Sequence, residues 1–358
     1  MTVTVGSGAS VRNVLNALSA YGLTLENFSS IQEQQMAGWT QVAAHGTGCG
    51  LPTVEEQIVE MKIATPAEGI LTLSDAKLPR LYRLAKVGLG SVGVVTELTL
   101  RCIPKLNLKE DTIVLQRDDV SDGHYDRLRQ CRHVRYMWIP YTSCVVSVTS
   151  NPAPNVKRVN QAEAKYWEAS QGSRVGDSTD ILGFDCGGEQ WVLEMCFPIG
   201  SLDEETYADV SFVRELLELV EMEGIPAPGP IEQRWTARST SPMSPAFSEN
   251  PKEKFCWVGV IMYTPASQTQ EQREDIRRAF VRYCKALDPL LLKYKAQLHW
   301  AKLEPPLLGN HTSPSGSEIH LMRERIHSKY PVDEFKSVRN VLDPKGILSN
   351  SLVETFLN

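Results

Sequence analysis

The sequence contains no Cys-x-x-Cys pair although it holds eight cysteines in 358 residues. It therefore has neither the ligand spacing of a zinc site nor the dense framework of a disulfide scaffold. No metal site is expected, and a reducing compartment is the default reading. Its longest strongly apolar run, Phe255 to Tyr263, is far too short to cross a bilayer. Positive charge is not in excess: the formal net charge is -6, which argues against nucleic acid, normally met by a basic surface. Mild acidity suits a basic protein partner, or simply solubility. Met1 is followed by Thr-Val-Thr-Val, which is neither a signal peptide nor an Arg-rich transit peptide. There is no internal repeat and no low-complexity tract. With 42% hydrophobic and 22% charged residues the chain has an ordinary globular composition, and its length suits two domains.

Strand and helix patterns mix throughout. Residues 2 to 5 alternate like a strand, and Ser10 is placed to cap a helix with apolar positions Val11, Val14, Leu15 and Leu18. Gly22 supplies a stop for that helix. Leu78 to Val87 reads as a helix with Pro79 in its first turn, and Val92 to Leu100 as a buried strand. Beyond Pro104, a reasonable domain boundary, strand-like runs recur at Ile113 to Leu115, Val134 to Ile139, Cys144 to Val148, Trp191 to Phe197 and Phe255 to Tyr263. Asp203 to Glu223 and Gln268 to Ala286 carry apolar residues at helical spacing. The fold class is α+β, with an antiparallel sheet flanked by helices in the second part. Asn151 to Ser178 is polar and reads as a surface excursion. The tail from Val332 has a short helix signal followed by a turn at Asp343-Pro-Lys-Gly346.

Five segments are candidates for chemistry. Gly88-Leu-Gly90-Ser-Val-Gly93 matches a dinucleotide fingerprint literally, but a helix precedes it and a strand follows, the reverse of what that site needs. It reads as a tight helix-to-strand turn. Ala44-His45-Gly46-Thr47-Gly48 exposes consecutive backbone N–H groups and lets a flat ring or phosphate approach. Glu232 and Arg234 are two apart in a segment that Pro-rich flanks keep extended, so they share a face, with Ile231 and Trp235 on the other. That alternation fits a solvated salt-bridge pair or a charged pocket wall equally. His299 and Lys302 bracket Trp300, before Pro305 and Pro306. Cys186 sits beside two glycines and is a candidate oxidation-sensitive thiol, set against the commoner inert cysteine.

Taken together, Glu232-Gln-Arg-Trp235, His299-Trp-Ala-Lys302, Gln41 to Gly48 and Gly93-Val-Val-Thr-Glu-Leu-Thr-Leu100 resemble the aldonolactone oxidoreductases, flavoenzymes of the vanillyl-alcohol-oxidase type. The likeness runs from Thr4 through Asn350-Ser-Leu-Val-Glu354 and is stronger to the dehydrogenase branch than to the animal or fungal oxidases. It implies FAD as cofactor, with contacts from Ala44, His45, Gly46, Thr47, Gly48, Gly93, Val94, Val95 and Asn350. It implies oxidation of a lactone such as L-galactono-1,4-lactone at its C2 alcohol, toward ascorbate. Glu232 would bind substrate hydroxyls, Arg234 would hold the lactone, Lys302 would support the anionic edge of the reduced flavin, and His299 would position or deprotonate the reacting hydroxyl. Ala44, where the oxidases have glycine, would shield the flavin from oxygen. The resemblance also implies a mitochondrial setting at the inner membrane or intermembrane space, cytochrome c as electron acceptor, and association with respiratory complex I or its assembly intermediates. A non-catalytic assembly module that keeps the fold, and an oxygen-using lactone oxidase, stand as alternatives. Against that family Met1 falls part-way through the flavin domain. The expected division is a second flavin subdomain at 1–104, a substrate cap at 105–331 and a C-terminal return at 332–358.

Overall fold

The computed structural model describes residues 1–153, 172–183, 189–264, 269–302 and 316–357. The chain begins with β1 (Thr2–Gly6), α1 (Val11–Ser19), β2 (Leu23–Thr24), α2 (Met36–Gln41), β3 (Ile58–Thr65), β4 (Gly69–Ser74), α3 (Pro79–Ala85), β5 (Val94–Arg101) and β6 (Ile103–Pro104). Ser10 caps α1 through the Asn13 N–H at 3.2 Å, and the Val11, Val14, Leu15, Leu18 stripe faces inward as its spacing requires. The order β1-β5-β3-β4 makes a four-stranded antiparallel sheet. Helix α2 and the β3–β4 hairpin are held by one core, in which Trp39, Met61, Ile63 and Leu73 are all buried. Between α3 and β5 the glycine cluster is a tight turn. A Cβ on Gly93 would meet Ile63 at 3.0 Å, and Gly90 takes a left-handed φ of +68°.

The chain then continues through β7 (Asn107–Gln116), α4 (His124–Gln130), β8 (His133–Trp138), β9 (Cys144–Ala153), β10 (Gly172–Asp177), α5 (Ser178–Leu182), β11 (Gln190–Gly200), α6 (Ala208–Met222), β12 (Ile231–Ala237), β13 (Lys254–Tyr263), α7 (Gln270–Ala286), α8 (Asp288–Lys293) and β14 (Gln297–Leu298). Its strands form one antiparallel sheet in the order β10-β7-β9-β8-β12-β13-β11-β14. Side chains alternate across it. Tyr136, Trp138, Ile231, Trp235, Val258, Val260, Leu193 and Met195 point to the face covered by Phe212, Leu216 and Leu217 of α6 and Phe280 of α7. The expected α+β architecture, a large antiparallel sheet flanked by helices, is the one observed. Three boundaries differ. β7 runs ten residues, not three, because its polar positions pair with neighbours on both sides, as Glu110 does with Arg174. Gly172–Asp177, read as surface excursion, is an edge strand on β7. Helix α6 starts five residues later than expected, after Tyr207 at φ +53° turns the chain.

The C-terminal helices α9 (Gly316–Lys329), α10 (Val332–Leu342) and α11 (Ser351–Leu357) return to the first sheet. Met322, Ile326, Phe335, Val353 and Phe356 join the core that holds Val14, Trp39 and Leu98. Helix α9 was not legible as such, since its apolar positions follow no clean stripe. The Asp343 turn is present: its carboxylate accepts the Ile347 and Leu348 N–H groups at 2.9 and 2.6 Å. Among the described residues no helix is long and apolar enough to cross a membrane.

Candidate active site

The 44–48 loop is docked onto the face of the eight-stranded sheet opposite α6 and α7. The Gly48 N–H donates to Trp235 O at 2.7 Å, the His133 ring bonds Thr47 O at 2.7 Å, and Thr47 Oγ1 donates to Val134 O. Glycine is required at Gly48, where φ is +135° and a Cβ would meet Arg132 O at 2.4 Å. It is required again at Gly46, where a Cβ would meet Phe28 O at 2.5 Å. The backbone N–H groups of His45, Gly46 and Thr47 donate to no protein acceptor among the described residues. Three adjacent open donors beside a guanidinium are what a flavin's polar ring edge or a phosphate requires, so the residues present fit such a group.

Antiparallel pairing places the sheet's contribution in two rungs. One runs Met137, Glu232, Gly259, Glu194, and the other Arg135, Arg234, Trp257, Cys196. Direct partners share a face. Glu232 and Arg234 therefore do project together, with Arg234 Nε 3.5 Å from Glu232 Oε2. Arg234 also donates to Glu194, a buried carboxylate on β11. Burial alone would raise the Glu194 carboxyl. The Arg234 guanidinium and His45 outweigh it and hold the group well below the usual carboxylate range.

His45 lies on this rung face, stacked on Trp257 with ring centroids 3.8 Å apart. Its Nε2 is 3.2 Å from Glu194 Oε1, though not in hydrogen-bond geometry. His299 follows β14 and is anchored by its N–H to Glu194 O at 2.9 Å. Its Nδ1 accepts the Ala301 N–H at 3.0 Å, which leaves the proton of the neutral ring on Nε2. Burial pushes His299 down to about 3 and also lowers His45, so both rings are neutral at physiological pH. Lys302 is half-buried one turn on, and its charge acts on both Glu194 and His299. Trp300 turns away, donating to Met243 O at 2.7 Å and packing on Tyr330. His45, Glu194 and His299 offer ligand atoms within 4.8 Å of one another. Arg234 and His45 both lie against Glu194 Oε1.

The structure thus brings together Ala44 to Gly48, Glu232, Arg234, His299 and Lys302. Gly93, Val94 and Val95 instead open β5, with Gly93 against Ile63 and Val94 exposed. Asn350 is exposed, and its hydrogen bonds are those of a helix cap, to Val353 N–H at 2.9 Å. Cys186 lies outside the described residues. Glu194, Trp257, Gly259 and Arg135 are additions. A lone carboxylate inside Trp-Val-Leu-Glu-Met-Cys-Phe was the one local signal for Glu194.

Residues 153–356 match the family described as D-arabinono-1,4-lactone oxidase, and residues 1–74 match the FAD binding domain family. The mitochondrial L-galactono-1,4-lactone dehydrogenase of Arabidopsis thaliana is 40% identical to this chain, over 98% of the chain and 68% of that relative. The chain belongs to the aldonolactone oxidoreductase family. Its members are FAD-dependent oxidoreductases, and they include an Oryza sativa subsp. japonica L-galactono-1,4-lactone dehydrogenase at 40% identity, over 99% of this chain and 70% of that one. L-gulonolactone oxidase of Bos taurus is a more distant aldonolactone oxidoreductase, 23% identical over 98% of this chain and 80% of its own length. Among solved structures, a solvent-stable cholesterol oxidase superposes with a TM-score of 0.78 at 12% identity, over 100% of this chain and 82% of that one. That similarity establishes the fold.

Proposed function

We propose that this chain oxidises L-galactono-1,4-lactone at its C2 alcohol, yielding L-ascorbate after enolisation. The observation that carries the reading is Arg234, bound to Glu194 and beside Glu232, which lines one pocket together with Gly46 and Thr47 of the 44–48 loop. When bound, FAD supplies the acceptor for the hydride that leaves C2. The chain's residues do the rest. His45, Gly46 and Thr47 would hold the flavin edge, and Lys302 would sit near its anionic side. Arg234 grips the lactone oxygens and stabilises negative charge that develops on them. Glu232, half-buried, accepts the substrate hydroxyl hydrogen bond. His299, neutral and with Nε2 carrying the proton, positions a substrate oxygen by donating to it and is a poor base. Trp257 and the stacked His45 ring wall the site and exclude water.

The same reading assigns residues 1–104 to the flavin side, 105–331 to the substrate side and 332–358 to a return onto the flavin side. The matching relatives named mitochondrial support a mitochondrial location, and the net charge of -6 suits electron delivery to a basic acceptor such as cytochrome c. The test is a product assay. The purified protein with FAD, lactone and oxidised cytochrome c should form ascorbate with two equivalents of cytochrome c reduced for each lactone consumed, because hydride loss carries two electrons. Ascorbate formation that needs oxygen and leaves cytochrome c oxidised would refute the acceptor, and no turnover of any aldonolactone would refute the reaction.

A further inference from the structure

Gly259 sits in the middle of β13, a long strand in the centre of the large sheet. A glycine inside a strand weakens it and commonly marks a bulge, a bend or the close approach of a ligand. There is no bulge here. The register runs unbroken on both sides, from Glu232 on β12 through Gly259 to Glu194 on β11. There is no bend that only glycine allows, since Gly259 has no left-handed φ. Nor does another of the described residues press on it: among them, a Cβ built at Gly259 meets nothing within 4 Å, although the residue is buried. Close approach of a ligand is the reason left.

The missing side chain makes a notch in the site face, walled by the carboxylates of Glu194 and Glu232. Carboxylates accept hydrogen bonds and donate none, and Arg234, next along β12, neutralises part of their charge. A notch lined by acceptors suits a neutral polyhydroxylated ligand, whose O–H groups donate, and disfavours an anion. We propose that Gly259 forms the floor of the substrate subsite, and that the hydroxylated edge of the lactone lies in the notch between Glu194 and Glu232. The proposal rests on the lactone oxidation assigned above. Gly259 then sets the size of polyol the enzyme accepts.

The experiment compares wild-type holoenzyme with Gly259→Ala and Gly259→Val for L-galactono-1,4-lactone. It measures KM and kcat, bound FAD, thermal midpoint, and quenching of tryptophan fluorescence by the lactone, which Trp257 beside the notch should report. Ala and Val suit a strand better than Gly, so the thermal midpoint should hold or rise. FAD content should be unchanged. KM and the fluorescence dissociation constant should rise together, about tenfold for alanine and about a hundredfold for valine, as expected when methyl groups fill a snug pocket, with kcat falling less. An unchanged KM in the valine variant overturns the proposal. So does loss of FAD in place of lactone affinity, which would give the notch to the cofactor. A wild-type protein that turns over no lactone sinks the parent reading instead, a result the variants cannot mimic.

Discussion

Arg234 is the residue on which the site turns, and its neighbours explain why it is arginine. It reaches Glu194 on one strand and Glu232 on its own. A planar fork serves two carboxylates and a substrate oxygen together, which a lysine ammonium cannot. Arg234→Lys should therefore keep the charge but lose about a hundredfold in kcat/KM, the usual effect of removing one positioned donor, as measured by steady-state lactone oxidation. Ala44 gives a second residue-scale prediction. Its methyl is buried just before His45. If it shields the flavin, Ala44→Gly should increase hydrogen peroxide formation with lactone under air. Peroxide output equal to wild type would remove that role. Glu232 and Arg234 were legible in the sequence as one face of an extended segment, but their meaning was not, because period-two alternation is the same for a wet strand and a pocket wall. Glu194 and Trp257 lie inside apolar runs, and their approach to Arg234 depends on strand order, which no local pattern encodes.

At the scale of the element, β12 is held from behind. Gln233 and Trp235 project to the covered face, opposite Glu232 and Arg234. Trp235 Nε1 donates to Asp209 Oδ2 at 2.7 Å, and Gln233 Nε2 to Asp209 O at 2.9 Å. His124 Nε2 lies 2.9 Å from the same Asp209 carboxylate, with both side chains fully buried. Burial would raise that carboxyl, yet His124 and the Trp235 indole outweigh it and lower it. Asp209→Ala would leave buried donors on two elements without an acceptor and should cost about 3–5 kcal/mol in urea unfolding, with KM for the lactone rising as β12 loosens. An Asp209→Ala protein as stable as wild type would contradict this account of the strand. Helices with a clean stripe, such as α1, were readable from spacing alone. α9 and the length of β7 were not, since tertiary contacts decide them: α9 joins the first core through Met322 and Ile326, and β7 is fixed by pairing to β9 and β10.

For the whole molecule, the seam between the first half and the large sheet is where the titratable groups collect. Glu56 takes Lys86 at 2.6 Å and the Thr240 N–H at 3.0 Å, tying the loop beyond β12 to the first half. His45, His133 and His299 lie along the same seam, all buried and neutral, with His133 pushed down to about 4 and His299 to about 3. Their folded affinities for protons fall below the value of about 6.5 for an unfolded histidine. The unfolded chain thus binds more protons as pH drops below 6.5, and stability is lost in that direction. Between pH 7.5 and 5, His133 and His299 should each cost about 2 kcal/mol. His299→Asn should reduce the loss by one histidine's share, whatever its effect at neutral pH. Denaturant midpoints at the two pH values check this, and an unchanged pH slope in the variant would count against it.

The central claim is that this chain works on an aldonolactone through a flavin held by the 44–48 loop. The direct measurement is the visible absorbance of the purified protein, supplied with FAD, desalted, and then titrated anaerobically with L-galactono-1,4-lactone. The account predicts flavin bands that survive desalting, bleach at one equivalent of lactone per flavin, and stay oxidised when Arg234→Ala is treated the same way. A protein that retains flavin but is not bleached by any aldonolactone would contradict it.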